Sequence, residues 1–202
     1  MSNKIEFLFD FASPNAYLSY QVLREVAARQ SAELVITPVL LGGLFKLTNN
    51  QAPMLAFGEV KGKLDYDMLE TQRFIEAHDL NKFVFNPYFP INTITLMRGF
   101  IAAHEIAVVD QYVEVNLSAM WEQGLDMGDP EVVAGVWQSA GLDAAGFVEA
   151  IQTQPVKDAL LQNTQQAADR GAFGVPTFFV GDEMFFGKER IIQIEQMLGS
   201  KS

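Results

Sequence analysis

A chain of 202 residues with a net charge of -11 and no cysteine is narrowly bounded before any motif is read. Its length fits one large domain, or one domain with a sizeable insertion, and a composition of 49% hydrophobic against 19% charged residues supplies a core and argues against disorder. The charge repels phosphate backbones, so no nucleic-acid partner is expected, and the missing thiols exclude disulfides, thiolate metal sites and cysteine nucleophiles.

No apolar run is long enough to span a bilayer, and the opening MSNKIEFLFD lacks a signal-peptide pattern. The expectation is a cytoplasmic chain with no membrane partner. Only two histidines are present, His78 and His104, both in helix-like segments with acidic neighbours. Each reads as solvated surface, which leaves no basis for a His-rich metal site, and no metal is expected.

In chain order, Lys4 to Phe11 is a short apolar run. Ile5, Phe7 and Phe9 lie on one face and Leu8 on the other, so it reads as a strand covered on both sides. Ala12-Ser13-Pro14 follows. Ser is a favoured N-cap and Pro a favoured first helical residue, and Tyr17, Leu18, Val22, Leu23 and Val26 then recur at helical spacing. Glu33 to Leu41 returns as a second strand. A strand, a helix and a strand at this length predict a parallel βαβ unit.

From Gly42 to about Gly62 there is no clear periodicity, and the Gly, Asn and Pro content reads as loop. Helical signals then dominate: Asp65 to His78, Ile94 to Glu105, Asp110 to Gln123, Asp129-Pro130 to Gly141, Asp143 to Thr153, and Pro155 to Arg170. Phe83 to Pro90 is an aromatic loop, because Pro87 and Pro90 interrupt it. Val175 to Val180 and Glu183 to Phe186 flank a Gly181-Asp182 turn and predict an antiparallel hairpin. Lys188 to Leu198 is a final amphipathic helix. The order β-α-β, helical block, α-β-β-α leaves a thioredoxin-type core when the block is removed. The expected class is α/β, with residues 1–60 and 155–202 forming the thioredoxin-like domain and 61–154 an inserted helical domain.

Four segments carry candidate chemistry. In thioredoxin-type folds the start of the first helix holds a Cys-x-x-Cys pair. Here Ser13 and Ala16 stand at those places, so no dithiol can form. A helix N-terminus favours an anion, and a serine hydroxyl can donate to a thiolate brought by a ligand and hold it as a nucleophile. Local sequence by itself favours a plain helix cap, since Ser-Pro starts are common. The second segment is Gly174-Val175-Pro176-Thr177, where a cis proline would leave the Val175 backbone free to pair with a peptide-like ligand; the alternative is an ordinary strand-initiating proline. The third is LLGGLFKLTNNQAP with Lys46 and Asn50, followed by Lys61-Gly62. Its side chains can bind a carboxylate or an amide, although a solvated surface is the usual place for a lysine. The fourth is Gly187-Lys188-Glu189-Arg190, where a helix start could hold a ligand carboxylate and Glu189 its ammonium; otherwise it is a charged first turn.

FDFASPNAY, LLGGLFKLTNNQAP, KG, FPIN, GAFGVPTFFVGDEMFFG and KER, in this order, resemble the 2-hydroxychromene-2-carboxylate isomerases and the kappa-class glutathione transferases. These belong to the thioredoxin-fold group that includes bacterial disulfide oxidoreductases with a helical insertion, and the resemblance covers essentially the whole chain. It implies that Ser13 contacts the sulfur of glutathione, that Asn50 and Lys61 are ligand contacts, and that Lys46 matches a lysine of the isomerase branch. It further implies that Val175, before a cis Pro176, pairs with the cysteinyl backbone. Lys188 and Glu189 fall where the family has a small or polar residue followed by Asp, holding the γ-glutamyl end. Both depart from that pattern, Lys188 in bulk and charge and Glu189 by one methylene.

The function implied by the resemblance is a glutathione-dependent isomerization. The thiolate adds to a conjugated double bond of an aromatic catabolite, the resulting single bond rotates, and the thiolate leaves. Glutathione is then a cofactor, and the enzyme a homodimer. Phe85, Tyr88, Phe89, Met97 and Trp121 are candidate walls for the aromatic substrate, with core packing as the alternative for each. A transferase or peroxidase that consumes glutathione is the second enzymatic reading. A non-catalytic module that holds peptides at the proline edge is the reading from another class.

Overall fold

The computed structural model describes residues 3–200. Strand β1 (Lys4–Phe9) is followed by helix α1 (Pro14–Arg29) and strand β2 (Glu33–Pro38). Helices α2 (Leu41–Thr48), α3 (Pro53–Phe57), α4 (Lys63–Ala77), α5 (Ile94–Glu105), α6 (Val109–Trp121), α7 (Pro130–Ser139), α8 (Ala144–Ala150) and α9 (Gln154–Asp169) come next. Strands β3 (Thr177–Val180) and β4 (Glu183–Phe186), a 3-10 turn (Lys188–Arg190) and helix α10 (Ile191–Gly199) complete the chain. The sheet order is β2-β1-β3-β4. β1 and β2 run parallel, while β1–β3 and β3–β4 are antiparallel. This is a thioredoxin-like α/β fold with a large helical insertion between β2 and β3.

The alternation along β1 sets the layers. Ile5, Phe7 and Phe9 face a core shared with α1 and α10, whereas Leu8 faces a smaller cluster with Leu44 of α2 and Ala167 of α9. The β3–β4 hairpin turns at Gly181-Asp182, with Val180 paired to Glu183 and Gly181 at φ 64°. A left-handed residue at that point is what a tight hairpin needs. Phe83 to Pro90 is loop, as its prolines require.

Three expectations about elements are corrected. The Gly42–Gly62 segment is mostly helical, not loop. Two glycines depress helix propensity there, but tertiary contact overrides it. Leu44 is fully buried, and a Cβ on Gly43 would stand 3.0 Å from the Thr164 methyl, so the close approach of α2 to α9 itself calls for glycine. The first two strands stop earlier, at Phe9 and Pro38. The third begins only at Thr177, after the cis Val175-Pro176 bond. The last helix is preceded by a separate 3-10 turn, so Lys188 sits outside α10.

The helical block continues the main core without a break: Phe100, Tyr112, Trp121, Trp137 and Phe147 belong to the same buried cluster as β1 and α1. Gly99 marks its tightest contact. A Cβ there would overlap the Tyr112 hydroxyl, which donates to the Leu96 carbonyl at 2.9 Å in a fully buried position. Gly99→Ala is expected to cost about 1–3 kcal/mol through this overpacking. A denaturant titration checks it, and an unchanged midpoint would mean that α5 and α6 slide apart freely.

Candidate active site

The site begins at the end of β1, where Asp10 folds the chain into the start of α1. Its carboxylate, 1% exposed, accepts the Ala12 N–H at 2.9 Å, the Leu41 N–H at 2.7 Å and the Thr93 hydroxyl at 2.6 Å. Its carbonyl accepts the Ser13 N–H at 3.2 Å. One buried side chain thus joins the Ser13 turn, the start of α2 and the entry to α5. Burial pushes the Asp10 carboxyl above its ordinary value, against the opposing pull of these three donors.

Ser13 then caps α1 in an extended conformation, with its hydroxyl accepting the Ala16 N–H at 3.2 Å. The same hydroxyl donates to the Val175 carbonyl at 3.3 Å, across 162 positions of sequence. Val175-Pro176 is cis, so the two motifs read from sequence meet at one sheet edge. A 3.3 Å bond to a neutral carbonyl is weak, and an anionic sulfur nearby would be the stronger acceptor. The Gly187 N–H bonds the Pro176 carbonyl at 3.0 Å, which joins the Lys188-Glu189 turn to the same edge.

The other candidates fall into two groups. Asn50 is tied to the site: its amide donates to the Phe173 carbonyl at 2.9 Å, two residues before Val175. Lys46 and Lys61 are exposed. Lys46 lines a shallow groove with Leu47, Leu161, Gln162 and Gln165, between α2 and α9. Among the described residues no hydrogen bond or ion pair links either lysine to Ser13. Lys188 is not the solvated first-turn charge that its sequence allows. It is 4% exposed, and its ammonium lies 2.6 Å from Glu189 and 5.6 Å from the Phe74 ring centroid.

The aromatic wall divides in the same way. Phe85 and Tyr88 are exposed, and Phe89 is half-buried. Met97 and Trp121 are fully buried and act as core. Phe85 and Phe89 pack against each other and against Trp121 with ring centroids 5.2 to 6.2 Å apart. The Trp121 indole N–H donates to the Phe11 carbonyl at 2.9 Å, and the Tyr17 hydroxyl to Glu122 at 3.0 Å. The insertion therefore grips both the turn before Ser13 and the first turn of α1. His78 and His104 are exposed, as expected.

Comparison with known proteins agrees with this fold. Residues 4–199 match the model of the DSBA-like thioredoxin domain. A 2-hydroxychromene-2-carboxylate isomerase of Pseudomonas putida is 28% identical over 195 residues, spanning 96% of this chain and 94% of that protein. The glutathione S-transferase kappa 1 of Rattus norvegicus is 26% identical over 207 residues, spanning 98% and 91%. A solved 2-hydroxychromene-2-carboxylate isomerase superposes with a TM-score of 0.84 at 28% identity, over 98% of this chain and 95% of that one. The oxidoreductase DsbA of Xylella fastidiosa, at 16% identity and a TM-score of 0.61 over 98% and 84%, shares the fold. With a serine where a redox pair would stand, and the cis proline facing it, the chain belongs to the DsbA-like thioredoxin family.

Proposed function

We propose that this protein is a glutathione-dependent isomerase of the 2-hydroxychromene-2-carboxylate type. The observation that carries the reading is the Ser13 hydroxyl at a helix N-terminus, weakly engaged with Val175 beside a cis proline, in a chain without cysteine. Such a group can activate a sulfur only if the sulfur arrives with a ligand.

In this reading the α1 N-terminus and the Ser13 hydroxyl lower the pKa of the glutathione thiol and hold its thiolate. The Val175 backbone pairs with the cysteinyl unit. Asn50, Lys46, Lys61, Lys188 and Glu189 serve the remaining polar groups. The thiolate adds to the conjugated double bond, forming a carbon–sulfur bond and moving the electron pair onto the conjugated carbonyl. The former double bond rotates. The electron pair returns, the carbon–sulfur bond breaks, and the thiolate is regenerated. The exposed rings of Phe85 and Tyr88 are suited to an aromatic substrate. The reading extends to a cytoplasmic homodimer with residues 61–154 as its inserted helical unit.

The similarity to a kappa 1 transferase keeps one second reading, in which glutathione is consumed by conjugation or peroxide reduction. The test is an absorbance assay on a hydroxychromene carboxylate and on an electrophilic conjugation substrate, with and without glutathione, while the free thiol is titrated. Isomerization that requires glutathione and leaves the thiol titre constant is expected. Stoichiometric thiol loss would favour the transferase, and turnover without any thiol would overturn both.

A further inference from the structure

One peptide unit joins Phe11 to Ala12 immediately before Ser13, and both of its polar ends are held. Its carbonyl accepts the Trp121 indole N–H at 2.9 Å, and its N–H donates to the Asp10 carboxylate at 2.9 Å. The same carboxylate oxygen accepts the Thr93 hydroxyl at 2.6 Å. Trp121 is the last residue of α6 and Thr93 precedes α5, so both outer anchors come from the helical insertion. Both side chains are buried.

A planar peptide unit moves only through the soft torsions on either side of it. Held at one end it can rock about that end; held at both it cannot. The torsions of Ala12 set the direction in which Ser13 enters α1, and hence where its hydroxyl points. The bonds of the hydroxyl itself are longer, 3.2 Å from the Ala16 N–H and 3.3 Å to the Val175 carbonyl. The clamp on the preceding peptide is therefore the firmer constraint on its aim. Trp121 also meets the aromatic loop: Phe83 stacks on it at 5.9 Å, and Phe85 and Phe89 lie 6.1 and 6.2 Å away between ring centroids. Its indole thus stands between that loop and the Ser13 turn.

We infer that Trp121 and Thr93 are positioning residues for Ser13. They act through the Phe11–Ala12 peptide, one at its carbonyl and one through Asp10 at its N–H, and keep the serine hydroxyl aimed. This inference rests on the thiol-activating role proposed for Ser13 above.

Variants that each lose one donor test it. Trp121→Phe removes the indole N–H and keeps an aromatic ring. Thr93→Val removes the hydroxyl and keeps the shape, while Thr93→Ser keeps the hydroxyl. Trp137→Phe is the control, because that indole N–H donates to Asn116 at 3.0 Å in the same buried cluster but on α6, not on the turn. Thiol-dependent turnover, glutathione affinity by calorimetry and the denaturant midpoint are read on each. Trp121→Phe and Thr93→Val are expected to lower kcat about tenfold, since small misplacements of a reacting group cost this much or more. Their glutathione affinity is expected to stay within about threefold, well under one tenfold step. Thr93→Ser is expected to recover kcat to within about twofold of the wild type. Trp137→Phe is expected to lose stability at unchanged kcat. Wild-type kcat in both Trp121→Phe and Thr93→Val, or an equal fall in Trp137→Phe, would overturn the inference and leave the thiol reading intact. Should Trp121→Phe fail to fold, the Thr93 pair decides by itself. A wild type whose turnover needs no thiol removes the thiol reading and this inference with it.

Discussion

Ser13→Ala is expected to lower turnover about 10²-fold, the usual cost of removing one donor aimed at a developing or resident anion, while glutathione affinity changes much less. The two effects separate because the hydroxyl has two roles. As a cap it accepts the Ala16 N–H at 3.2 Å, and losing that bond costs about 1 kcal/mol of stability. As a donor it is held by the Val175 carbonyl at 3.3 Å. That bond is easily exchanged for one to sulfur, since hydrogen bonds to an ion are roughly twice as strong as neutral ones. In the proposed function, binding of the peptide portion of the ligand rests on the Val175 backbone, which the substitution leaves in place. Steady-state kinetics, calorimetry and a denaturant titration on the same preparation separate the contributions. Loss of stability with full turnover would reduce Ser13 to a helix cap. Equal losses in binding and turnover would mean that the hydroxyl grips the ligand without activating it.

The legible parts of the molecule were those written in local pattern or in motif order. The alternation of Ile5, Phe7 and Phe9 against Leu8 predicts a strand covered on both faces, and the two core clusters are divided along that line. Ser13 and Val175-Pro176 were each ambiguous alone, and it was their order in a thioredoxin-type topology that predicted their meeting. The illegible parts depend on distant partners. Gly42 and Gly43 signal loop until Thr164 is brought against Gly43. Lys188 in a Lys-Glu-Arg run looks like solvated charge, and nothing local shows that Phe74 will cover it. Met97 and Trp121 are candidate pocket walls for which core packing is the favoured reading of each taken singly, and burial places them in the core. Nothing local in the sequence marks Asp10 as a shared acceptor. Its place three residues before Ser13 was the only sequence signal, because two of its three donors come from positions 31 and 83 residues away.

That hidden residue carries the second large expected effect. Asp10→Ala would leave the Ala12 and Leu41 N–H groups and the Thr93 hydroxyl without the acceptor they share. The Thr93 bond is buried and the two N–H bonds are part-buried; a buried donor left unsatisfied costs about 1–3 kcal/mol and a part-buried one less, so a loss of about 3 kcal/mol is expected, a large share of a typical domain's stability. Asp10→Asn is milder and more informative. Its remaining oxygen can serve Ala12 and Thr93, but its amide would present hydrogens to the Leu41 N–H, so a loss of about 1–3 kcal/mol is expected. The two proteins also differ in pH dependence. Burial raises the Asp10 carboxyl above its ordinary value of 3.8 in the folded state. Between that value and the folded one, the folded chain holds a proton that the unfolded chain has lost. The stability from this linkage is therefore fully present below 3.8 and lost as pH rises through the folded value. Asp10→Asn has no such term, so its deficit against the wild type should be greatest in acid and narrow as the pH climbs. Urea titrations of both proteins across the acid range read this directly. A deficit that widens with rising pH would show that the three donors outweigh burial, and that Asp10 is held as a carboxylate beneath the Ser13 turn.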